Sequence, residues 1–272
     1  MSHEPAMTIA ERINAERVVL AGWSRAILLQ LAHPLVAQGV ADHSTFREGL
    51  FTAAVRLHQT VGAMRRLTFG TAPEARRTLD GILAIHARVN GVLRDTVGPF
   101  PAGTRYSAED PALLLWVHAT LLDSLPLVYE ALVVPLTPAD RDAWCRESAP
   151  VARALGAAAD VPETWAALQT YMAGMYASGH IVVGDTARRL AQDVLSPRLS
   201  LAIAPVRTVN RQVTVGLLPP AIRDAYGFVW DAGRDARLER TLHLLRTLRR
   251  LTPDWLAYWP DARHARSDFS RR

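Results

Sequence analysis

Nine stretches of this chain place apolar residues three and four positions apart, a spacing that leaves little room for anything but helices. They are 11–31, 46–67, 74–95, 109–133, 139–155, 162–180, 185–195, 198–215 and 231–251. The spacing matches the α-helical turn, so each stretch predicts a helix with one apolar stripe. The nearest approaches to strands are VVLAG at 18–22 and HIVVG at 180–184. Pro34 is expected to stop the first helix, and GPFPAGTRYSAEDP at 98–111 is a long, turn-rich connection. PLTPAD at 135–140 and LLPP at 217–220 are further breaks. Thr71 suits an N-cap with Pro73 in the first turn, and Ser107 or Asp110 suits the next cap. No repeat and no polar linker divides the chain, which predicts one all-α domain spanning 1–272.

Composition removes whole classes of chemistry. All 31 basic residues are arginine. Without lysine there is no Schiff base, no pyridoxal-phosphate anchor and no P-loop cation. Cys145 is the single cysteine, which excludes internal disulfides, thiolate zinc sites and iron–sulfur clusters and suits a reducing, cytoplasmic setting. The first residues, MSHEPAMTIAERINAER, lack the apolar run of an export signal. Thr164–Gly184 is free of Asp, Glu and Arg but contains Gln169 and His180, and reads as a buried helix. The net charge of +5 is spread along the chain, and no nucleic-acid motif accompanies it. The densest basic cluster is Arg237, Arg240, Arg246, Arg249 and Arg250, followed by Arg263, Arg266, Arg271 and Arg272. It reads as a solvated face and tail, with weak peripheral contact to anionic lipid as the sharper alternative.

His86 breaks the pattern. On a helix over 74–95 it falls among Leu79, Ile82, Leu83, Val89 and Leu93, where a leucine would pack well. A buried imidazole needs a hydrogen bond, an ion or a metal. A core histidine bonded to a carbonyl is the plain alternative. On 46–67, Arg56 and Thr60 stand one turn apart at the edge of the apolar arc, a guanidinium beside a hydroxyl. Taken alone, that pair reads as a snorkelling arginine with a solvent-facing threonine. His58 and Arg65 point to another side and read as surface. His33 suits a helix end, where it would cap the last carbonyls, and His43 a turn or an N-cap at least as well as a site; His118 lies deep in LLLWVHATLL as a bonded core residue, with a second metal or haem contact as the alternative, and His3, His243 and His264 read as exposed. There is no HExxH, no GxSxG elbow and no GxGxxG after a strand. One buried histidine in a helical, apolar frame suits haem, which asks for one axial imidazole and an apolar slot.

The motifs resemble those of the MpaB and rubber oxygenase (latex-clearing protein) family of haem proteins. The resemblance runs from about residue 16 to 262. It rests on ILLQLAHPLVAQGVADHSTF at 27–46, Arg56-x-x-x-Thr60, FGTAPEA at 69–75 and His86-A-R-V-N-Gly91. It continues in YSAEDPALLLWVHATLL at 106–122 and VTVGLLPPAIRDAYGFVW at 213–230. The resemblance implies a globin-like helical core, haem b with its iron on His86, and Arg56 and Thr60 beside it, serving a propionate or bound dioxygen. It implies oxygenase chemistry with dioxygen on a small hydrophobic substrate, such as an isoprenoid or another alkene. Gln59 stands where the rubber oxygenases have a lysine, and Asp42 is the nearest counterpart of their acidic base. The alternatives are a non-catalytic haem or gas-binding protein, and a helical binding protein without cofactor.

Overall fold

A computed structural model describes residues 7–43, 50–195 and 204–262, with side chains from 59 and from 206 in the last two stretches. The first helices are α1 (Ile9–Ala15), a 3₁₀ turn (Arg17–Val19), α2 (Leu20–Leu31), α3 (Pro34–His43), α4 (Leu50–Phe69) and α5 (Ala72–His86). A short antiparallel hairpin follows, β1 (Asn90–Val92) with β2 (Arg105–Ser107). Then come α6 (Pro111–Leu132), α7 (Pro138–Ala154), α8 (Trp165–Ala177), α9 (Asp185–Leu195) and α10 (Ala204–Gly216). The last helices are α11 (Pro220–Ala225), α12 (Ala232–Leu251) and α13 (Asp254–Ala257). Among the described residues the protein is all-α apart from that hairpin.

The long pair α2 and α6 forms the centre of the fold. Gly22 allows the close approach: a Cβ there would stand 3.0 Å from the Ser124 carbonyl oxygen. Leu28 and Leu29 from α2 and Trp116, Leu122 and Leu125 from α6 are buried in the shared core. Each such leucine contributes about 2 kcal/mol by leaving water. Helices α3, α9 and α10 pack on α2, and α7, α8 and α12 on α6. Helix α6 is long and apolar enough to cross a bilayer, but 61% of its most apolar window is buried inside the protein. Core packing therefore accounts for its composition.

Two polar devices hold this centre. Pro126 lies within α6 and has no N–H to give the Leu122 carbonyl. The Trp144 indole of α7 donates to that carbonyl instead, at 3.0 Å. Arg25 of α2 is buried and donates to the Leu217 carbonyl at 2.7 Å, Asp123 Oδ2 at 2.8 Å and Ser124 Oγ at 2.6 Å.

Several boundaries differ from those expected. The stretch 11–31 is broken at Glu16, whose backbone is extended. Glu16 is buried because both its carboxylate oxygens accept from Arg249, at 2.6 Å each. Pro34 opens α3, where its missing N–H costs nothing. The basic cluster is not one solvated face. Arg249 turns inward to Glu16, whose hydrogen bonds raise its already high pKa against the opposing effect of burial. Arg246 caps the end of α6 through the Ala131 and Glu130 carbonyls, at 3.0 and 2.8 Å. Arg237, Arg240 and Arg250 are exposed, and residues 263–272 lie outside the described residues. Helix α8 is buried on one side only, through Leu168 and Met172; Ala166, Ala173 and Gly174 face water.

Candidate functional site

Helix α5 begins at the Thr71 N-cap. The Glu74 carboxylate accepts from the Thr71 amide and hydroxyl, both at 2.8 Å. The chain doubles back at Gly70, and α5 packs chiefly on α4. The Arg66 Nε–Thr78 Oγ1 hydrogen bond, 3.2 Å, sets the register near the turn.

The helix ends at His86, well short of the expected residue 95. Its last turn tightens: Arg88 N donates to the Ile85 carbonyl at 3.1 Å and Val89 N to the His86 carbonyl at 2.9 Å. The chain then enters β1, where Gly91 pairs with Tyr106. Gly91 is required because a Cβ would meet the Tyr106 hydroxyl at 2.5 Å. Val89 and Leu93, expected beside His86 on one helical face, instead pack with Leu35, Tyr106 and Leu113.

His86 is therefore a terminal residue on an incompletely covered apolar face. Leu79, Ile82 and Leu83 are only half-buried, and Ile85 is 63% exposed. The His86 Nδ1 atom is closed off from water and has no hydrogen-bond partner among the described residues. Burial lowers the imidazole pKa against the opposing charge of Glu109, so the ring is neutral at neutral pH. A neutral ring offers a nitrogen lone pair to a metal. An unclaimed nitrogen beside half-covered apolar side chains is a place where a flat, apolar, iron-bearing group could be held.

The other expected residues divide. Thr60 and Gln59 on α4 are exposed. Arg56 lies on α4, but its side chain, like that of His58, is outside the described residues. Arg65 is held by Asp261 at 2.9 Å. Asp42 is engaged as a structural anion. It accepts from Tyr106 at 2.8 Å and from Gln38 at 3.0 Å, and pairs with Arg94. Burial works against its charge, but the Tyr106, Gln38 and Arg94 contacts prevail and lower its pKa. His43 Nε2 lies 3.0 Å from the Asn90 carbonyl, binding α3 to the hairpin.

His33 accepts from the Leu35 amide at 3.3 Å, so it serves the start of α3 rather than the last carbonyls of α2. It lies 5.2 Å from Phe100 and 6.4 Å from His180, between ring centroids. Burial, aided by His180, lowers its pKa to about 4. His118 on α6 is not the bonded core residue expected at Nε2: that atom is enclosed and has no partner among the described residues. Burial lowers its pKa to about 4. Cys145 is buried, and burial pushes its thiol up to about 12, far from nucleophilic range. His243 is exposed, and His3 and His264 lie outside the described residues.

The profile of the family described as "ER-bound oxygenase mpaB/B'/Rubber oxygenase, catalytic domain" matches residues 11–247. Uncharacterised proteins of Mycobacterium bovis and Mycobacterium tuberculosis are each 26% identical over 243 residues, covering 84% of this chain and 87% of the relative. No solved structure matches the chain.

Proposed function

The chain belongs to the family of MpaB and rubber oxygenase catalytic domains, and from that premise we propose that it is a haem b-dependent oxygenase with His86 as the iron ligand. The observation that carries this reading is the enclosed, unclaimed His86 Nδ1 beside apolar side chains left half-covered. When bound, haem iron supplies the activation of dioxygen that no side chain here can provide. His86 holds the group through one nitrogen and stays neutral because burial disfavours its charged form. Arg56 gives a permanent cation and Thr60 a hydroxyl, suited to the anionic oxygens of a propionate or to the negative charge that dioxygen gains in the reaction. The pairing of α4 with α5 supports a shared site. Counted from the Arg66–Thr78 contact at a rise of about 1.5 Å per residue, His86 is about 12 Å along α5. Residues 56–60 are about 9–15 Å back along α4 by the same count.

The substrate of this reading is a small hydrophobic molecule, an isoprenoid or another alkene, oxidised with dioxygen within one catalytic domain. A cytoplasmic setting goes with it, supported by the lone, buried thiol. Weak contact with an anionic membrane surface is supported by exposed Leu244, Leu248, Leu251 and Trp255 beside exposed Arg240 and Arg250.

The test is an absorption spectrum of the purified chain supplied with haem, before and after dithionite. A Soret band is expected, and His86→Ala should abolish it while the far-ultraviolet circular dichroism stays helical. An unchanged Soret band in the variant would remove His86 as ligand. Oxygen uptake with hydrophobic alkenes then separates an oxygenase from a haem or gas-binding protein.

A further inference from the structure

A cleft of about 410 Å³ opens between α10, the Gly227–Trp230 connection and the first turns of α12. Among the described residues, none that lines it comes from α4 or α5. Its size falls in the range of small-molecule sites. Its floor is apolar: Val215 is buried, and Phe228 and Trp230 are half-buried. Its walls hold three arginines, Arg211, Arg234 and Arg237, and no carboxylate among the described lining residues.

Two acids stand near the cleft but do not line it. Asp235 accepts from the Trp230 indole at 2.6 Å. Asp231 accepts from the Arg234 amide at 2.9 Å and lies 3.8 Å from its guanidinium. Arg234 also donates to the Val229 carbonyl, which fixes it in the wall. Arg211 rests over the Phe228 ring at 5.6 Å. Neither Arg211 nor Arg237 has a carboxylate at ion-pair distance among the described residues. The amino end of the long helix α12 adds its partial positive charge at the same place. A concave wall of like charge over an aromatic floor concentrates anions.

We infer that this cleft binds an amphipathic organic anion. Arg211 and Arg237 take one phosphate or carboxylate head, whose oxygens match guanidinium donors. The apolar body of the ligand lies along Phe228, Trp230 and Val215. The inference does not depend on haem at His86.

Calorimetric titration of the full chain tests it, with decyl phosphate, decanoate, decanol and inorganic phosphate as separate probes below micelle-forming concentrations. At least one of the two anionic amphiphiles is expected to bind one-to-one. Decanol and inorganic phosphate are expected to bind at least about tenfold more weakly. Arg211→Gln/Arg237→Gln should weaken the amphiphile at least about tenfold without moving the melting temperature. Arg237→Glu alone, at an exposed position, should act in the same direction. Decanol or inorganic phosphate binding as tightly as decyl phosphate would overturn the inference. So would full affinity in both variants, or no binding of either amphiphile.

Discussion

The Trp144 indole occupies the Leu122 carbonyl, 3.0 Å away, in the place of the backbone donor that Pro126 lacks. Both groups are buried, so removing the indole strands an acceptor in the core. Trp144→Phe is expected to cost about 1–3 kcal/mol of stability. In a denaturant double-mutant cycle, Pro126→Ala in the Trp144→Phe background should recover part of that loss by restoring the helical bond. Independent, additive effects would separate the two residues.

Glu16 and Arg249 are paired through two short contacts, with side chains only 2% and 11% exposed. Breaking such a pair leaves one charge buried without compensation. Arg249→Met is expected to lower stability by about 3–5 kcal/mol in chemical denaturation. Arg250→Met, at the exposed neighbouring position, should change it by less than about 0.5 kcal/mol.

Acid should weaken the fold through His118. Its pKa is lowered from 6.5 to about 4 by burial, so the unfolded chain takes up the proton first. Stability is full above about pH 6.5 and falls as pH drops toward 4, by up to about 3 kcal/mol. His33, lowered to about 4 by burial and by His180, adds to the same fall. The melting temperature should therefore decline between pH 7 and pH 4, and His118→Leu should flatten the decline. An equal slope in that variant would clear His118.

Arg56→Ala should retain the Soret band of the haem-supplied chain and lose about 100-fold in oxygen uptake with a hydrophobic alkene. Unchanged uptake would exclude Arg56 from the reacting region.

Gly91→Ala puts a methyl group 2.5 Å from the Tyr106 hydroxyl, which is bonded to Asp42. About 1–3 kcal/mol of destabilisation is expected from the forced shift. Faster amide exchange at the hairpin should accompany it, because the Tyr106–Asp42 link ties the hairpin to α3.

The helices of the core were legible because their apolar spacing is set by the same burial that stabilises them, and α6 and α9 match their expected ranges closely. The end of α5 was not. Val89 and Leu93 continue the helical spacing in the sequence, but Gly91 and the pairing with β2 draw them into a hairpin and a separate cluster. Glu16 and Arg249 look like surface charges because their partnership spans most of the chain. Arg25 is hidden for the same reason, since its acceptors lie on α6 and after α10. His86 stood out as a polar residue among apolar ones, whereas its position at a helix end depended on the hairpin that follows. The orphaned His118 nitrogen had no local signal, because the absence of a partner is a property of the assembled core.

The extended step at Ala15–Glu16 meets the stretch after α13: Trp259 donates to the Ala15 carbonyl at 3.1 Å, and Glu16 bridges to Tyr258. The Trp259 ring also lies within cation–π distance of Arg17 and of Arg65 on α4, at 5.1 and 5.5 Å. One short stretch thus acts as a clasp on two remote parts of the chain, residues 15–17 and α4. A protease nick just before Tyr258 would loosen α1 and α4 together, and the hairpin of α4 and α5 would lose its anchorage without a single residue of its own being altered.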